Sequence, residues 1–189
     1  ATGQNPLEKS LDVKIQRWVG GVASKPELLY RPWETVLSNG ETVPVFFRDN
    51  YLSDKMFGYS EKRTDISIEE FENTILKLRD KTTDLDFTPV VSIIADGENF
   101  WENYSNDGID FLNGMYTVLT KYDWLETITP TGYLQMYGDS LKTIDKLYPA
   151  SWFQPNFGTW IGEADENQAW DYLYQTRIDF EEAKQSGNI

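Results

Sequence analysis

The chain has 189 residues and contains neither His nor Cys, which excludes disulfides, zinc–thiolate sites, thiol nucleophiles and a Ser-His-Asp triad. Its 17 Lys and Arg face 31 Asp and Glu, giving a formal net charge of −14. This balance argues against nucleic acid and anionic membranes as partners and favours a neutral or cationic ligand. No apolar run approaches the roughly 20 residues of a membrane-spanning helix, and the first residues lack the pattern of a secretory signal. The length suits one domain or a large part of one.

Aromatic residues are abundant, at 15% of the chain, with 7 Trp, 11 Tyr and 10 Phe. One interpretation is a core filled with large side chains, each of which buries a large apolar area. The other is a cleft for sugar rings, whose apolar faces stack on aromatic side chains. Composition alone leaves both interpretations open.

The first third of the chain contains signals for one helix and one hairpin. Residues 7–22 are predicted to form a short helix that ends at Gly20-Gly21. Asn39-Gly40, between two apolar runs, is a strong signal for a β-hairpin turn. Residues 43–47 then continue as a buried strand, with Pro44 at its edge or start.

The middle of the chain predicts a helix followed by a strand. Ser67 and Glu70 form a capping box pattern, and four apolar residues follow one helical stripe: Ile68, Phe71, Ile75 and Leu78. Residues 90–95 are short, β-branched and apolar on both faces, which is typical of a covered parallel strand. We therefore expect segments 43–47 and 90–95 to lie in one parallel sheet, with Asp49 and Asp96 at the same edge.

The remaining elements are mainly helical. Asp107 is predicted to cap a helix whose apolar residues are expected on one side: Ile109, Leu112, Tyr116 and Leu119. A turn at residues 129–131 precedes a short helix. The final helix is predicted from about Glu166, with four residues on one face: Trp170, Leu173, Tyr174 and Ile178. Strands alternating with helices indicate an α/β fold with a more helical C-terminal part.

Charged side chains follow both predicted strands. Arg48-Asp49 ends the first strand, and Asp96-Gly97-Glu98 ends the second. In parallel α/β folds, catalytic groups sit at the carboxyl ends of strands. Asp also terminates strands for a structural reason, because it caps the following turn. For Asp49, both interpretations remain open.

Asp96 has the stronger functional pattern. It follows six largely apolar residues and precedes Phe100, Trp101 and Tyr104. Aromatic surroundings desolvate a carboxyl group and favour its protonated form, which is the form that a leaving glycosidic oxygen needs. Glu98 is then a second carboxylate of the site or a partner that orients Asp96.

Metal and phosphate sites are the competing interpretations of these acids. Four residues supply oxygen ligands of the kind that calcium uses: Asn103, Asn106, Asp107 and Asp110. Their spacing is not that of an EF-hand, so a solvated turn with a helix cap is the preferred interpretation. No Gly-rich loop ends in Lys-Ser or Lys-Thr, as a phosphate site would require. We therefore predict neither a metal nor a cofactor.

Two residue sets complete the predicted site. Arg48 is expected to pair with Asp54 or Asp49 and to hold its loop rather than to contact the reacting atoms. Three tryptophans in loop-like positions are expected to line a sugar cleft: Trp101, Trp152 and Trp160. Trp124 and Trp170 are expected to be core residues on helices.

Two segments resemble a known family. Residues 47–60 read FRDNYLSDKMFGYS and residues 94–104 read IADGENFWENY. Both resemble signature stretches of glycoside hydrolase family 57, and within it the amylopullulanase-like branch. The similarity continues in order through later segments: 107–108, 111–112, 129–134, 151–152, 156–157, 160–162 and 167–170. The resemblance therefore extends over nearly the whole chain.

This resemblance implies a fold and a reaction. Residues 1–125 would be strands and helices of an incomplete (β/α)7 barrel, and residues 126–189 a helical region packed on it. Asp96 would be the general acid/base of a retaining mechanism on α-glucans such as starch, pullulan or maltooligosaccharides. A retaining glycosidase needs two carboxyls about 5 Å apart.

The resemblance also implies a missing partner. The glutamate nucleophile would lie upstream, in an N-terminal half of the catalytic domain, so this piece alone is predicted to be inactive. Where the family often has Thr-Asp-Glu, this chain has Thr2-Gly3-Gln4, and Asn50 stands where a histidine is frequent. A non-catalytic α-glucan-binding protein or an inactive relative is therefore the alternative interpretation.

Overall fold

The computed structural model of the chain describes residues 2–55, 63–98, 102–151 and 154–187. The helices are α1 (Gln4–Leu11), α2 (Pro26–Leu29), α3 (Thr64–Thr82), α4 (Ile109–Leu119), α5 (Pro130–Tyr137) and α6 (Ala164–Gln185). The strands are β1 (Trp33–Val36), β2 (Thr42–Val45) and β3 (Lys142–Ile144). A π-helical turn spans Tyr51–Lys55, and 3-10 turns span Asn106–Gly108 and Gly138–Ser140.

The three strands form one small sheet in the order β2-β1-β3. β1 and β2 are antiparallel, with Trp33 opposite Val45, and β3 pairs with β1 in parallel. The hairpin predicted from Asn39-Gly40 is confirmed, and the N–H of Leu37 donates to the carbonyl of Glu41 across the loop at 2.7 Å. The chain is thus a mixed α/β structure, whereas the barrel stays a prediction.

A second parallel arrangement joins three distant segments by single bridges. Thr2 pairs with Phe47, and Arg48 pairs with Ser92, both in parallel. The expected common direction of segments 43–47 and 90–95 is therefore confirmed. A continuous strand over 90–95 is wrong, because the N–H of Val90 donates to the carbonyl of Tyr30 at 2.8 Å instead of joining a ladder.

The first helix is shorter than predicted. It ends at Leu11, where Asp12 adopts a left-handed conformation with φ 51°. Gly20 and Gly21 do not end a helix but form a tight turn with φ values of +93° and +87°, which glycine adopts without steric cost. This turn closes an antiparallel bridge between Arg17 and Ala23.

The core extends from α1, α2 and the sheet to α3 and α4, which pack against each other. Three residues of the predicted α3 stripe are buried: Phe71, Ile75 and Leu78. The helix begins at Thr64, so Ser67 lies inside it and is not its cap. The predicted face of α4 is confirmed only in part: Leu112 and Leu119 pack partly buried against the core, whereas Ile109 and Tyr116 are exposed. The fully buried residues of the helix are Phe111, Met115 and Val118. Asp107 lies in the preceding 3-10 turn, and the residue before α4 is Gly108.

The last two helices both begin earlier than the sequence predicts, α5 at Pro130 within the predicted turn and α6 at Ala164 rather than about Glu166. Thr129 caps α5, and its side chain accepts a hydrogen bond from the N–H of Gly132 at 3.1 Å. α6 has no buried residue, and Trp170 is 49% exposed, so the prediction that Trp170 is a core residue is wrong. Trp124 lies in a turn rather than a helix and packs partly against the core. The helices of the described residues all fall short of the length or the apolar character that a bilayer crossing requires.

Candidate active site

The candidate site lies where the two parallel-bridged segments end. Asp49 directly follows the bridging residue Arg48, and its N–H donates to the carbonyl of Ser92 at 2.9 Å. Asp96 follows Ser92 by four residues in the same chain direction. The fold therefore sends both acidic segments toward the same side, as parallel strand ends do.

Asp49 is enclosed by hydrogen-bond donors. Its side chain is 1% exposed. Nη1 of Arg17 donates to both carboxylate oxygens, at 3.0 and 2.8 Å, and the hydroxyl of Tyr30 donates to Oδ2 at 2.7 Å. The N–H of Leu52 donates to Oδ1 at 3.0 Å. Four donated bonds hold this carboxylate in place, so its role is to fix the loop that follows Arg48.

The partners of Asp49 form a buried polar network. Burial, the charge of Asp49 and the hydrogen bond to it raise the pKa of Tyr30 well above its ordinary value, so Tyr30 stays a neutral donor. Nη2 of Arg17 also donates to Oε1 of Gln4 at 2.5 Å, and Nε2 of Gln4 donates to Oε1 of Glu8 at 2.9 Å. Sequence reasoning missed Arg17 and Tyr30, because no local pattern marks which of the 17 basic residues reaches Asp49.

Arg48 connects the loop to the segment that carries Asp96. Its Nη2 lies 2.5 Å from Oδ1 of Asp54, which confirms the predicted ion pair. Its Nε donates to the carbonyl of Ile94 at 2.8 Å. The hydroxyl of Ser53 accepts from the N–H of Ile94 at 3.0 Å. Both backbone polar groups of Ile94, two residues before Asp96, are therefore bound by side chains of the loop.

Asp96 and Glu98 are both exposed. The carbonyl of Glu98 accepts from the N–H of Glu102 at 3.0 Å, which closes a turn after the acidic pair. Phe100 and Trp101 lie outside the described residues, so the expected aromatic surroundings of Asp96 stay a prediction. Tyr104 faces the core instead, where it is 7% exposed and stacks on Phe111 with ring centroids 4.3 Å apart.

Of the three tryptophans predicted to line the sugar cleft, Trp160 lies within the described residues. Trp101 and Trp152 lie outside the described residues. Trp160 is 41% exposed and lies in a turn, and its carbonyl accepts from Nε1 of Trp170 at 2.7 Å. The structure thus joins Trp160 to α6, and its proposed contact with sugar stays a prediction.

A separate cleft of about 550 Å³ opens beside the segment that leads to Asp96. It lies between the C-terminal half of α3, residues 88–93 and residues 119–137.

Within the described ranges, no group of acidic side chains converges in the way a metal ion requires. Asn106 donates instead to Asp110, with Nδ2 and Oδ2 3.2 Å apart.

Comparison with known proteins agrees with these features. The sequence model of the family described as glycosyl hydrolase family 57 matches residues 17–146. The match includes the Arg17–Asp49 pair, the loop after Arg48 and the segment with Asp96 and Glu98. No curated protein matches the chain.

Proposed function

Because the chain belongs to glycosyl hydrolase family 57, we propose that it is part of a retaining glycosidase that acts on α-glucans, with Asp96 as its general acid/base. One observation carries the proposal: the segment of Asp96 is bound at Ile94 by Arg48 and Ser53. The exposed carboxyl of Asp96 therefore follows a backbone that two side chains fix by hydrogen bonds. Family membership supports a glycosidase, and the α-glucan substrate and the retaining course belong to the proposal.

The proposed reaction uses Asp96 twice. Its protonated carboxyl donates the proton to the leaving glycosidic oxygen, and its carboxylate then removes a proton from the incoming water or sugar hydroxyl. Glu98, exposed two residues later, supports this group or contacts the substrate. The protein supplies the orientation of the acid through the contacts of Ile94.

The nucleophile is proposed to lie in another part of the catalytic domain. Asp49 is buried and held by Arg17 and Tyr30, so it has no route to a sugar carbon. Asp54 is held by Arg48. These pairings support the assignment of attack to a glutamate outside this chain, and the chain alone is expected to be inactive.

Exposed apolar side chains support additional polypeptide as a partner. Four of them lie on α6: Trp170, Leu173, Tyr174 and Phe180. An apolar surface of this kind is typical of a protein interface. The proposed partner is the N-terminal half of the family's catalytic domain, which would complete a (β/α)7 barrel with residues 1–125 and leave 126–189 as a helical region.

A non-catalytic α-glucan-binding protein is the second candidate. The chain has Thr2-Gly3-Gln4 where the family often has Thr-Asp-Glu, and this loss of two acids favours the second candidate. In this alternative, aromatic residues bind the sugar and the acids are structural.

Replacement of Asp96 by Asn distinguishes the two candidates. In the protein that carries both halves of the domain, Asp96→Asn should lower kcat on starch by about 10²–10⁴-fold, because general acid catalysis contributes that much. The first step on an activated aryl α-glycoside should lose far less, since its leaving group needs little protonation. Asp80→Asn, an exposed change on α3, is the matched control. Equal losses on both substrates would exclude Asp96 as the acid, and an inactive parent that still binds maltooligosaccharides would establish the binding protein.

A further inference from the structure

The cleft between α3 and α5 has the size and wall chemistry of a ligand site. Its volume of about 550 Å³ falls in the range of about 300–1,000 Å³ that small-molecule sites occupy. Leu78, Val91 and Ile128 contribute apolar wall. These apolar side chains alone would suit an apolar ligand.

Polar groups line the same cleft. Four threonines contribute: Thr82, Thr83, Thr88 and Thr127. The hydroxyls of Thr82 and Thr83 already donate to the carbonyls of Leu78 and Arg79 at 2.8 Å, so toward a ligand they act as acceptors. Glu126, an exposed carboxylate, lies beside them. A purely apolar ligand would remove water from these groups without replacing its hydrogen bonds, which costs free energy. The lining therefore favours a ligand that has apolar faces and many hydroxyl groups.

Aromatic rings form one wall, and their positions are fixed by contacts within the protein. Tyr133 donates its hydroxyl to the carbonyl of Thr88 at 2.9 Å, and its ring meets Phe46 edge-on, with centroids 6.0 Å apart. Tyr137 is half-buried beside it, with ring centroids 4.9 Å apart. Tyr137 is therefore a preorganised surface against which a sugar face can pack at low entropic cost.

Trp124 lines the cleft in a different manner. The guanidinium of Arg79 lies 4.6 Å from its ring centroid, and Tyr122 stacks on it at 5.2 Å. With its faces occupied, Trp124 stiffens the wall rather than stacking on a ligand. Its indole is nevertheless an internal fluorescent reporter of the cleft.

We propose that this cleft is a second α-glucan-binding site, separate from the edge at Asp96, which packs a short maltooligosaccharide against Tyr137 and hydrogen-bonds it through Glu126 and the threonine hydroxyls. The choice of α-glucan rests on the proposed function. A neutral oligosaccharide also suits a chain with a net charge of −14, which would repel an anionic ligand. Binding at two places on one polysaccharide raises the effective concentration of glucan at the first site.

The test measures binding of maltoheptaose to the full 189-residue chain by isothermal titration calorimetry and tryptophan fluorescence. Glu126→Gln and Tyr137→Ala should each weaken binding about tenfold or more, because the first replaces a charge-assisted hydrogen bond with a neutral one and the second removes the packing surface. Glu69→Gln, an exposed change on α3 away from the cleft, is the matched control and should bind as the unaltered chain does. Trp124→Phe should remove the part of the fluorescence response that Glu126→Gln also removes, since Trp124 lines this cleft. Unchanged circular dichroism and urea midpoints would show that the variants fold.

The outcomes separate this inference from the proposed function. Binding that is lost in Glu126→Gln and kept in Asp96→Asn supports the second site. Maltoheptaose binding that Glu126→Gln and Tyr137→Ala leave unchanged overturns the second site and leaves the role of Asp96 intact. An unaltered chain that binds no maltoheptaose also overturns it, while the comparison of starch with an activated glycoside still decides the role of Asp96.

Discussion

Replacing Asp49 by Ala tests whether the buried network holds the loop after Arg48. The substitution removes the acceptor of four hydrogen bonds, two of them from Arg17. It also leaves the guanidinium of Arg17, which is 21% exposed, without its counter-charge. Removing one partner of a buried ion pair costs about 3–5 kcal/mol.

The structure places the expected cost at the lower end of this range. Arg17 keeps two other acceptors, Oε1 of Gln4 and the carbonyl of Gly21, and it is partly reached by water. We therefore expect Asp49→Ala to lower the free energy of unfolding by about 3 kcal/mol. Adding Arg17→Leu should recover a large part of the loss, because the unpaired charge is then gone.

Urea denaturation followed by tryptophan fluorescence measures these changes. Glu69→Ala is the control, since this side chain is exposed on α3, and its unfolding free energy should stay within about 0.5 kcal/mol of that of the unaltered chain. A cost below about 1 kcal/mol for Asp49→Ala, or no recovery in the double variant, would refute the argument, because it would mean that water replaces Asp49 at little cost.

Two further predictions use the same measurement. Tyr30 has a raised pKa, so the stability due to its neutral form is present below about pH 10 and is lost as pH rises, by up to about 1.4 kcal/mol per pH unit. Tyr30→Phe should therefore make the free energy of unfolding fall less steeply above pH 10. Some decline should remain, because the pKa values of Tyr122 and Tyr133 are also raised. A slope of unfolding free energy against pH equal to that of the unaltered chain would contradict this. Gly114→Ala places a Cβ 2.2 Å from Cδ1 of Ile68, and we expect destabilisation by about 1 kcal/mol despite the better helix propensity of Ala. In an Ile68→Ala background the same change should stabilise, and destabilisation in both backgrounds would contradict a steric cause.

The elements that the sequence predicts well depend on neighbouring residues. Asn39-Gly40 predicts its hairpin, because turn geometry is decided within a few residues. The turn predicted at residues 129–131 is instead the start of α5, which Thr129 caps and Pro130 opens. The apolar stripe of α3 repeats over three turns of one helix, and three of its four residues are buried.

The buried face of α4 needs information from another helix. Ile109 and Tyr116 have the same helical spacing as residues of the true face, so periodicity alone selects neither set. The position of Gly114 carries the missing signal. It lies with Phe111, Met115 and Val118 on one side, and its lack of a side chain lets Ile68 of α3 approach closely. A small residue within one of two competing stripes thus marks the side that meets a neighbouring helix.

The candidate site departs from sequence expectation because side chains take the place of a strand. A continuous ladder over residues 90–95 would pair the N–H and carbonyl of Ile94 with a neighbouring backbone. Here Ser53 accepts from that N–H and Arg48 donates to that carbonyl. The apolar run predicts the direction of this segment, but the predicted covering on both faces is wrong, since residues 90–95 are only partly buried and Ile94 is 40% exposed. The run also contains no information on whether a backbone or a side chain fills each hydrogen bond. The position of Asp96 therefore depends on the loop after Arg48, and that loop depends in turn on the distant Arg17, which lies 32 residues from Asp49 in the sequence.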